Sequence, residues 1–237
     1  LDFIEQIKGL NPDVIITCAY GHILTNAFLE IPSRATINIH PSLLPKFRGA
    51  TPVQSTLLQG CTTTGVSILF TVKALDAGNI ICQQSTKIDP QETSDQLMDR
   101  LFRQSCPMLF EALKKLEDKS FTGVPQDETK VSLCRKIKKE DGLIDWHDKT
   151  ASIMNRFKAH YPWPGSYSYL EQKRVIITGL ENTDYQPTEL ANTQSGLLTY
   201  IKAQKSLYVS CLDGHLKITK LRVEGAKELD AVSFWNG

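Results

Sequence analysis

Residues 37–50 read I-N-I-H-P-S-L-L-P-K-F-R-G-A. Asn38 and His40 stand two apart in an alternating run. A strand there turns both side chains to one face and Ile37 and Ile39 to the other. A carboxamide donor and an imidazole at a strand end, just before a proline-bounded loop, sit where α/β sheets place chemistry. On spacing alone the pair serves equally as a polar, solvated strand end. Pro41 and Pro45 stiffen the following loop, and the backbone of Ser42, Leu43 and Leu44 offers hydrogen-bonding groups to a planar polar ligand. Downstream, Leu75-Asp76-Ala77-Gly78 falls between two strand-like runs, and Asp76 is the only acid between Glu30 and Asp89. It reads either as a turn cap or as a carboxylate that orients His40 and raises its pKa.

The elements that must carry these residues alternate in the first half. Residues 14–20 form an apolar, β-branched run ended by Gly21, which reads as a buried strand. Residues 35–40, 65–72 and 79–88 read as further strands, and 24–29 as a short helix. Thr51-Pro52 opens a helix that Gly60 stops. Thr93 and Gln96 form a capping box before a long amphipathic helix that runs to about residue 119. Residues 120–133 lose this periodicity and read as a linker. Beyond them a helix over 148–160 precedes strands at 166–170, 173–179, 196–203, 206–211 and 215–223, with Asp213-Gly214 as a hairpin turn. The sequence predicts an α/β catalytic unit over 1–119, a linker over 120–136, and over 137–237 a small β-barrel of oligonucleotide-binding type or a small sandwich.

Composition sets the outer bounds. The chain has 237 residues, a net charge of +1 and 41% hydrophobic residues, as in folded globular domains. The near-zero charge argues against a wholly electrostatic nucleic-acid binder but allows a local basic patch. Lys130, Arg135, Lys136, Lys138 and Lys139 supply one, with no acid from Thr129 to Lys139. They read as a solvated linker face or as a phosphate-contacting strip. The longest charge-free stretch, 49–72, holds Gly, Pro, Gln and Thr and does not fit a membrane span. Six cysteines are scattered without zinc spacing. They read as reduced thiols, with Cys18 as core filler and with no metal expected. Trp146, Tyr161 and Trp163 read as packing aromatics, His160 as a surface residue, and His22 as structural. No targeting segment is visible and the first residue is Leu1, so a truncated or processed chain is expected.

At these residues the sequence resembles the 10-formyltetrahydrofolate-dependent formyltransferases. His40-Pro41-Ser42-Leu43-Leu44-Pro45-Lys46-Phe47-Arg48-Gly49 is similar to that family's H-x-S-L-L-P-x-x-x-G signature, with Asn38 upstream and Leu75 to Gly78 downstream. Lys46-Phe47 stands where the family often has Arg-Trp. Asp145-Trp146, Asn155-Arg156-Phe157-Lys158-Ala159, Trp163-Pro164-Gly165 and the closing Phe234-Trp235-Asn236-Gly237 resemble the C-terminal domain of its methionyl-tRNA branch.

The resemblance implies a Rossmann-like formyltransferase domain, lacking roughly its first 70 residues, followed by a tRNA-binding domain. It implies formyl transfer from 10-formyltetrahydrofolate to the amine of methionyl-tRNA, for translation initiation. Asn38 would donate to the tetrahedral oxyanion, His40 would donate to it or carry the amine's proton, and Asp76 would fix the imidazole. The folate would lie against Ser42, Leu43, Leu44 and Pro45, near Tyr20, Gly21, Ala77 and Gly78. Arg135, Lys136, Lys138 and Lys139 would meet the tRNA. A monomer in the cytoplasm or an organelle matrix, without metal or membrane, completes the expectation. Two alternatives stand beside it: a sugar-nucleotide formyltransferase, and a non-catalytic folate- or RNA-binding fragment.

Overall fold

Strand β2 (Ala35–His40), which carries Asn38 and His40, lies between two neighbours in a four-stranded sheet. The computed structural model describes residues 3–22, 24–185 and 194–236. The chain divides into two compact units, Leu1–Thr56 with Cys61–Lys136, and Leu57–Gly60 with Ile137–Gly237.

In the first unit α1 (Phe3–Gly9), β1 (Val14–Cys18) and α2 (Asn26–Leu29) precede β2. They are followed by β3 (Arg48–Gly49), α3 (Pro52–Leu58, its last two residues counted with the second unit), β4 (Thr63–Phe70), β5 (Ile80–Lys87), α4 (Ser94–Leu116) and β6 (Leu133–Cys134). The sheet order is β1-β2-β4-β5. β1 pairs parallel with β2, whereas β2–β4 and β4–β5 are antiparallel. The apolar period of α4 buries Leu97, Leu101, Met108 and Leu116 as expected, and the helix packs on β4 and β5. The Gln96 side chain accepts from the Thr93 N–H at 3.1 Å, giving the reciprocal contact of a capping box at its start. Arg34 donates through Nε to the Leu116 carbonyl at 2.9 Å, which satisfies an orphan carbonyl at its end.

Two expectations need correction. β1 is not a buried strand. It lies at the edge of the described sheet, so Ile16 is 42% exposed and Cys18 is exposed rather than core filler. Residues 120–136 are hydrogen-bonded into the first unit: Val124 bridges Ile80, and β6 pairs parallel with β3. The stretch lacks periodicity because its polar side chains reach the loops around β2 instead of forming an element of their own.

In the second unit α5 (Thr150–Ala159) precedes β7 (Ser166–Leu170), β8 (Lys173–Asn182), β9 (Leu198–Ile201), β10 (Ser206–Ser210), β11 (His215–Val223), β12 (Leu229–Asp230) and α6 (Ala231–Asn236). The strands form an antiparallel sheet of order β7-β8-β11-β10-β9, with β12 on β11. Alternating residues of β8, β10 and β11, among them Val175, Ile177, Leu207, Val209, Leu216 and Ile218, form the core with Ile153 and Met154 of α5. Among the described residues no pairing joins β7 to β9. The fold is therefore an α/β unit and a sheet unit, without a closed barrel. His160 is 2% exposed, so it is a buried residue and not a surface one. Gly237 of the closing motif lies outside the described residues. Among them no helix is long and apolar enough to cross a membrane.

Candidate active site

Asn38 and His40 leave β2 on one side, and Asp76 meets both. Asn38 Nδ2 lies 3.4 Å from Asp76 Oδ1, and His40 Nδ1 lies 3.6 Å from Asp76 Oδ2. The His40 and Asp76 side chains are only 4% and 10% exposed. β4 runs antiparallel to β2, so the chain after Phe70 leaves beside Ile37 and must fold back for Asp76 to reach Asn38 and His40. Asp76 adopts a left-handed φ of +50°, a conformation that a short polar side chain tolerates better than most. Gly78 closes this turn against β4. A Cβ there would stand 1.8 Å from the Phe70 carbonyl oxygen, so only glycine fits.

Each member is oriented by a second group. Thr17 stands opposite Asn38 in the β1–β2 register. Its hydroxyl proton is shared between Asn38 Oδ1 at 2.9 Å and the Ile37 carbonyl at 3.1 Å. With its oxygen so engaged, Asn38 presents its Nδ2 to the Asp76 side, and its second N–H meets no partner among the described residues. Asp76 Oδ2 accepts the Gly49 backbone N–H at 2.9 Å.

His40 Nε2 lies 3.0 Å from the Phe47 carbonyl oxygen. A carbonyl only accepts, so Nε2 carries the proton. In the neutral ring Nδ1 is then the basic nitrogen, facing the Asp76 carboxylate. Burial holds the His40 pKa below the ordinary imidazole value, and the Asp76 charge and the Phe47 carbonyl pull it back only in part. The Phe47 carbonyl, rather than Asp76, sets the tautomer.

The loop expected to offer backbone groups to a ligand uses most of them internally. Ser67 Oγ donates to the Ser42 carbonyl at 2.7 Å and accepts from the Leu44 N–H at 3.2 Å. Gln83 Nε2 donates to the Leu44 carbonyl at 3.0 Å, and the Leu43 carbonyl accepts from Lys46 N at 3.1 Å. Ser42 is fully buried and Leu44 nearly so. This segment therefore offers a shaped wall more than a set of free donors. Tyr20 is 52% exposed, and among the described residues no hydrogen bond joins Tyr20 or Gly21 to the Asn38 cluster. Ala77 and Gly78 share the Asp76 turn.

Arg135, Lys136, Lys138 and Lys139 are all exposed. Arg135 and Lys136 end the first unit, whereas Lys138 and Lys139 belong to the second. Lys130 is drawn away from that set by an ion pair with Asp127 at 2.8 Å.

Sequence reasoning missed Thr17, Gln126 and the Phe47 carbonyl. Thr17 gave one signal, a lone hydroxyl between Ile16 and Cys18 in an apolar strand. Gln126 gave none, because its role depends on a contact 50 residues away.

Comparison with known proteins gives the family. Residues 1–113 match the formyl transferase family and residues 136–237 the formyl transferase C-terminal domain. A relative from Thermodesulfovibrio yellowstonii named methionyl-tRNA formyltransferase is 35% identical over 236 residues, covering 100% of this chain and 74% of that protein. The chain belongs to the methionyl-tRNA formyltransferase family. Solved structures agree in fold. The methionyl-tRNA formyltransferase from Clostridium thermocellum superposes with a TM-score of 0.64 at 17% identity, covering 76% of this chain and 77% of that one. HypX from Aquifex aeolicus, in complex with tetrahydrofolic acid, superposes with a TM-score of 0.74 at 19% identity, covering 98% of this chain and 40% of that one.

Proposed function

We propose that this chain transfers the formyl group of 10-formyltetrahydrofolate to the free amine of methionyl-tRNA, supplying the formylated initiator for translation. The observation that carries this reading is the convergence of Asn38, His40 and Asp76. Asn38 keeps one Nδ2 N–H for an oxyanion that develops at the formyl oxygen. A neutral donor there stabilises the transition state more than the ground state. The amine must lose a proton as it attacks. His40 is nearly buried and its Nε2–H is held by Phe47, so the proton reaches Nδ1 from the Asp76 side, and the carboxylate steadies the imidazolium. Of the two roles open to His40, the Nε2–H contact with the Phe47 carbonyl supports proton carriage over oxyanion donation.

The folate is read against the wall formed by Ser42, Leu43, Leu44 and Pro45, beside Tyr20, Gly21, Ala77 and Gly78. Support comes from the family and from the tetrahydrofolic acid bound to HypX. The exposed Arg135, Lys136, Lys138 and Lys139 are read as phosphate contacts. The antiparallel order of β7 to β11, with register shifts between Ile218 and Leu221 that bend β11, supports reading the second unit as related to oligonucleotide-binding barrels. A monomer in the cytoplasm or an organelle matrix suits the same role.

Formyl transfer measured with methionyl-tRNA and, separately, with an amino-sugar nucleotide tests the reading. We expect methionyl-tRNA to be the preferred acceptor and Asn38→Ala to lower kcat by about 10²–10³. Preference for the sugar nucleotide would move the enzyme to that branch. Absence of transfer to either would favour a non-catalytic binding role.

A further inference from the structure

Phe47 is a bulky, buried residue with a left-handed φ of +62°. That conformation costs energy in an L-residue and persists only where the surroundings hold it. Both main-chain groups of Phe47 are held. Its N–H donates to Ser132 Oγ at 2.9 Å, and its carbonyl oxygen lies 3.0 Å from His40 Nε2 and 3.5 Å from Cys134 Sγ. Two residues further on, the Gly49 N–H donates to Asp76 Oδ2. Residues 47–49 therefore meet His40 and Asp76 while resting on the segment that carries Cys134.

The β3–β6 ladder sets Gly49 opposite Cys134. A Cβ on Gly49 would stand 2.5 Å from the Cys134 carbonyl oxygen and 3.1 Å from its Sγ, so the two strands touch with no side chain between them. The half-buried thiol is ringed by three main-chain groups. Sγ donates toward the Phe47 carbonyl and toward the Arg48 carbonyl at 3.3 Å, and it accepts from the Thr51 N–H at 3.3 Å. Two acceptors and one donor around the sulfur suit a thiol, which has a hydrogen to give. Burial raises the Cys134 pKa above the ordinary thiol value. The Thr51 and Ser55 hydrogen bonds lower it only in part, and the Asp76 charge raises it again. At neutral pH the sulfur therefore keeps its hydrogen, shared between the Phe47 and Arg48 carbonyls.

We propose that Cys134 is a positioning residue for formyl transfer: through the Phe47 carbonyl, its S–H keeps the His40 proton on Nε2 and leaves Nδ1 basic on the Asp76 side. The strained Phe47 peptide has three side-chain holds, from Ser132, His40 and Cys134. Without the S–H the carbonyl moves off Nε2, and the ring proton passes to Nδ1, where the Asp76 carboxylate accepts it. An imidazole protonated at Nδ1 has no basic nitrogen there to take the proton of the attacking amine. The effect on rate rests on the formyl-transfer reading above. The effect on the ring does not.

Two measurements on the full chain test it, for Cys134→Ala, which removes the donor, and Cys134→Ser, which keeps one. The first is the His40 tautomer, read from nitrogen-15 NMR of histidine-labelled protein at about pH 8, where the ring is neutral. The His40 signals are assigned by their loss in His40→Gln. The second is formyl transfer to methionyl-tRNA. Cys134→Ala should shift the His40 population toward Nδ1–H and lower kcat about two- to fivefold, the loss expected for one bond from a weak donor. KM for both substrates should stay within about twofold. Cys134→Ser should restore the Nε2–H tautomer and bring kcat within about twofold of wild type. Circular dichroism melts check folding, and Cys134→Val, which fills the space without donating, replaces Cys134→Ala if that variant unfolds. The proposal requires both changes, so a shift in tautomer alone or in kcat alone overturns it. Equal impairment of the Ser and Ala variants also overturns it, by making the sulfur a packing atom. Failure of the wild-type chain to transfer a formyl group would instead sink the enzyme assignment, while the dependence of the His40 tautomer on Cys134 would still stand.

Discussion

Gln126 donates one side-chain N–H to the Asp76 carbonyl and another to the Gly78 carbonyl, both at 2.8 Å. Its Oε1 accepts from Arg48 Nε at 3.0 Å and Nη2 at 2.8 Å. Arg48 is 6% exposed and also pairs with Glu128 at 2.7 Å. The turn that carries Asp76 is thus held by one amide, itself held by a buried guanidinium. A carboxylate placed by such a chain keeps its distance from His40 without a direct hydrogen bond to it.

Replacing Gln126 with Leu should remove this hold. Two carbonyls and part of Arg48 lose their partners, so stability should fall by about 1–3 kcal/mol. Formyl transfer should fall further than stability explains, because Asp76 loses its position. Thermal melts and kcat/KM on the same preparation separate the two effects. Wild-type kcat/KM in a folded variant would show that the turn positions itself.

Thr17→Val keeps shape and loses the hydroxyl that engages Asn38 Oδ1. The freed amide can rotate and present its oxygen where a donor is needed. We expect kcat/KM to fall about three- to tenfold, with stability changed by no more than ~1 kcal/mol. Valine at this position with full activity would show that Asn38 is oriented by Asp76 alone.

The depressed pKa of His40 fixes a sign for pH dependence. Between its folded value and the ordinary imidazole value of about 6.5, the unfolded chain binds a proton that the native chain does not. Stability therefore rises with pH through this window, is fully present above it, and is lost as pH falls toward the folded pKa. The urea midpoint should be lower at pH 5.5 than at pH 7.5, and His40→Gln should shrink the difference. In the enzyme, kcat/KM should stay flat from neutrality down to the ordinary imidazole value and fall only below it.

Replacing Arg135, Lys136, Lys138 and Lys139 with Ala should weaken tRNA binding. If two to four of them touch phosphate, the slope of log K against log salt should flatten by roughly two to four units, with the duplex coefficient as a guide for an A-form stem. Folate affinity should be unchanged. An unaltered slope would leave these residues a solvated surface.

Much of this was legible in the sequence because it is local. Two-residue alternation placed Asn38 and His40 on one face, and the register of β2 confirms it. Helical periodicity found α4 with its Thr93–Gln96 cap. Strands 166–170 and 215–223 were readable from their turns, and they coincide with β7 and β11. What escaped was set by distant contacts. Composition over 120–136 shows only polar residues without period, yet Gln126, Glu128 and Ser132 each bond a residue 48–85 positions earlier. The exposure of β1 followed from its place in the strand order, which an apolar run does not encode. The tautomer of His40 depends on a main-chain carbonyl, and carbonyls have no letter in a sequence.

The tie between Phe47 and Ser132 bears on how the site comes into being during synthesis. The Phe47 N–H is held by Ser132 Oγ, 85 residues further along the chain, and Arg48 pairs with Leu133 in the β3–β6 ladder. At ~5–20 residues per second, ribosomal elongation covers that interval in about 4–17 s. Through those seconds the His40 loop has emerged without the segment that pins it, and the Phe47 carbonyl has no fixed position from which to hold the imidazole. The nascent first unit therefore acquires its reactive geometry only when its last dozen residues arrive, so that chemistry and completion of the unit coincide in time.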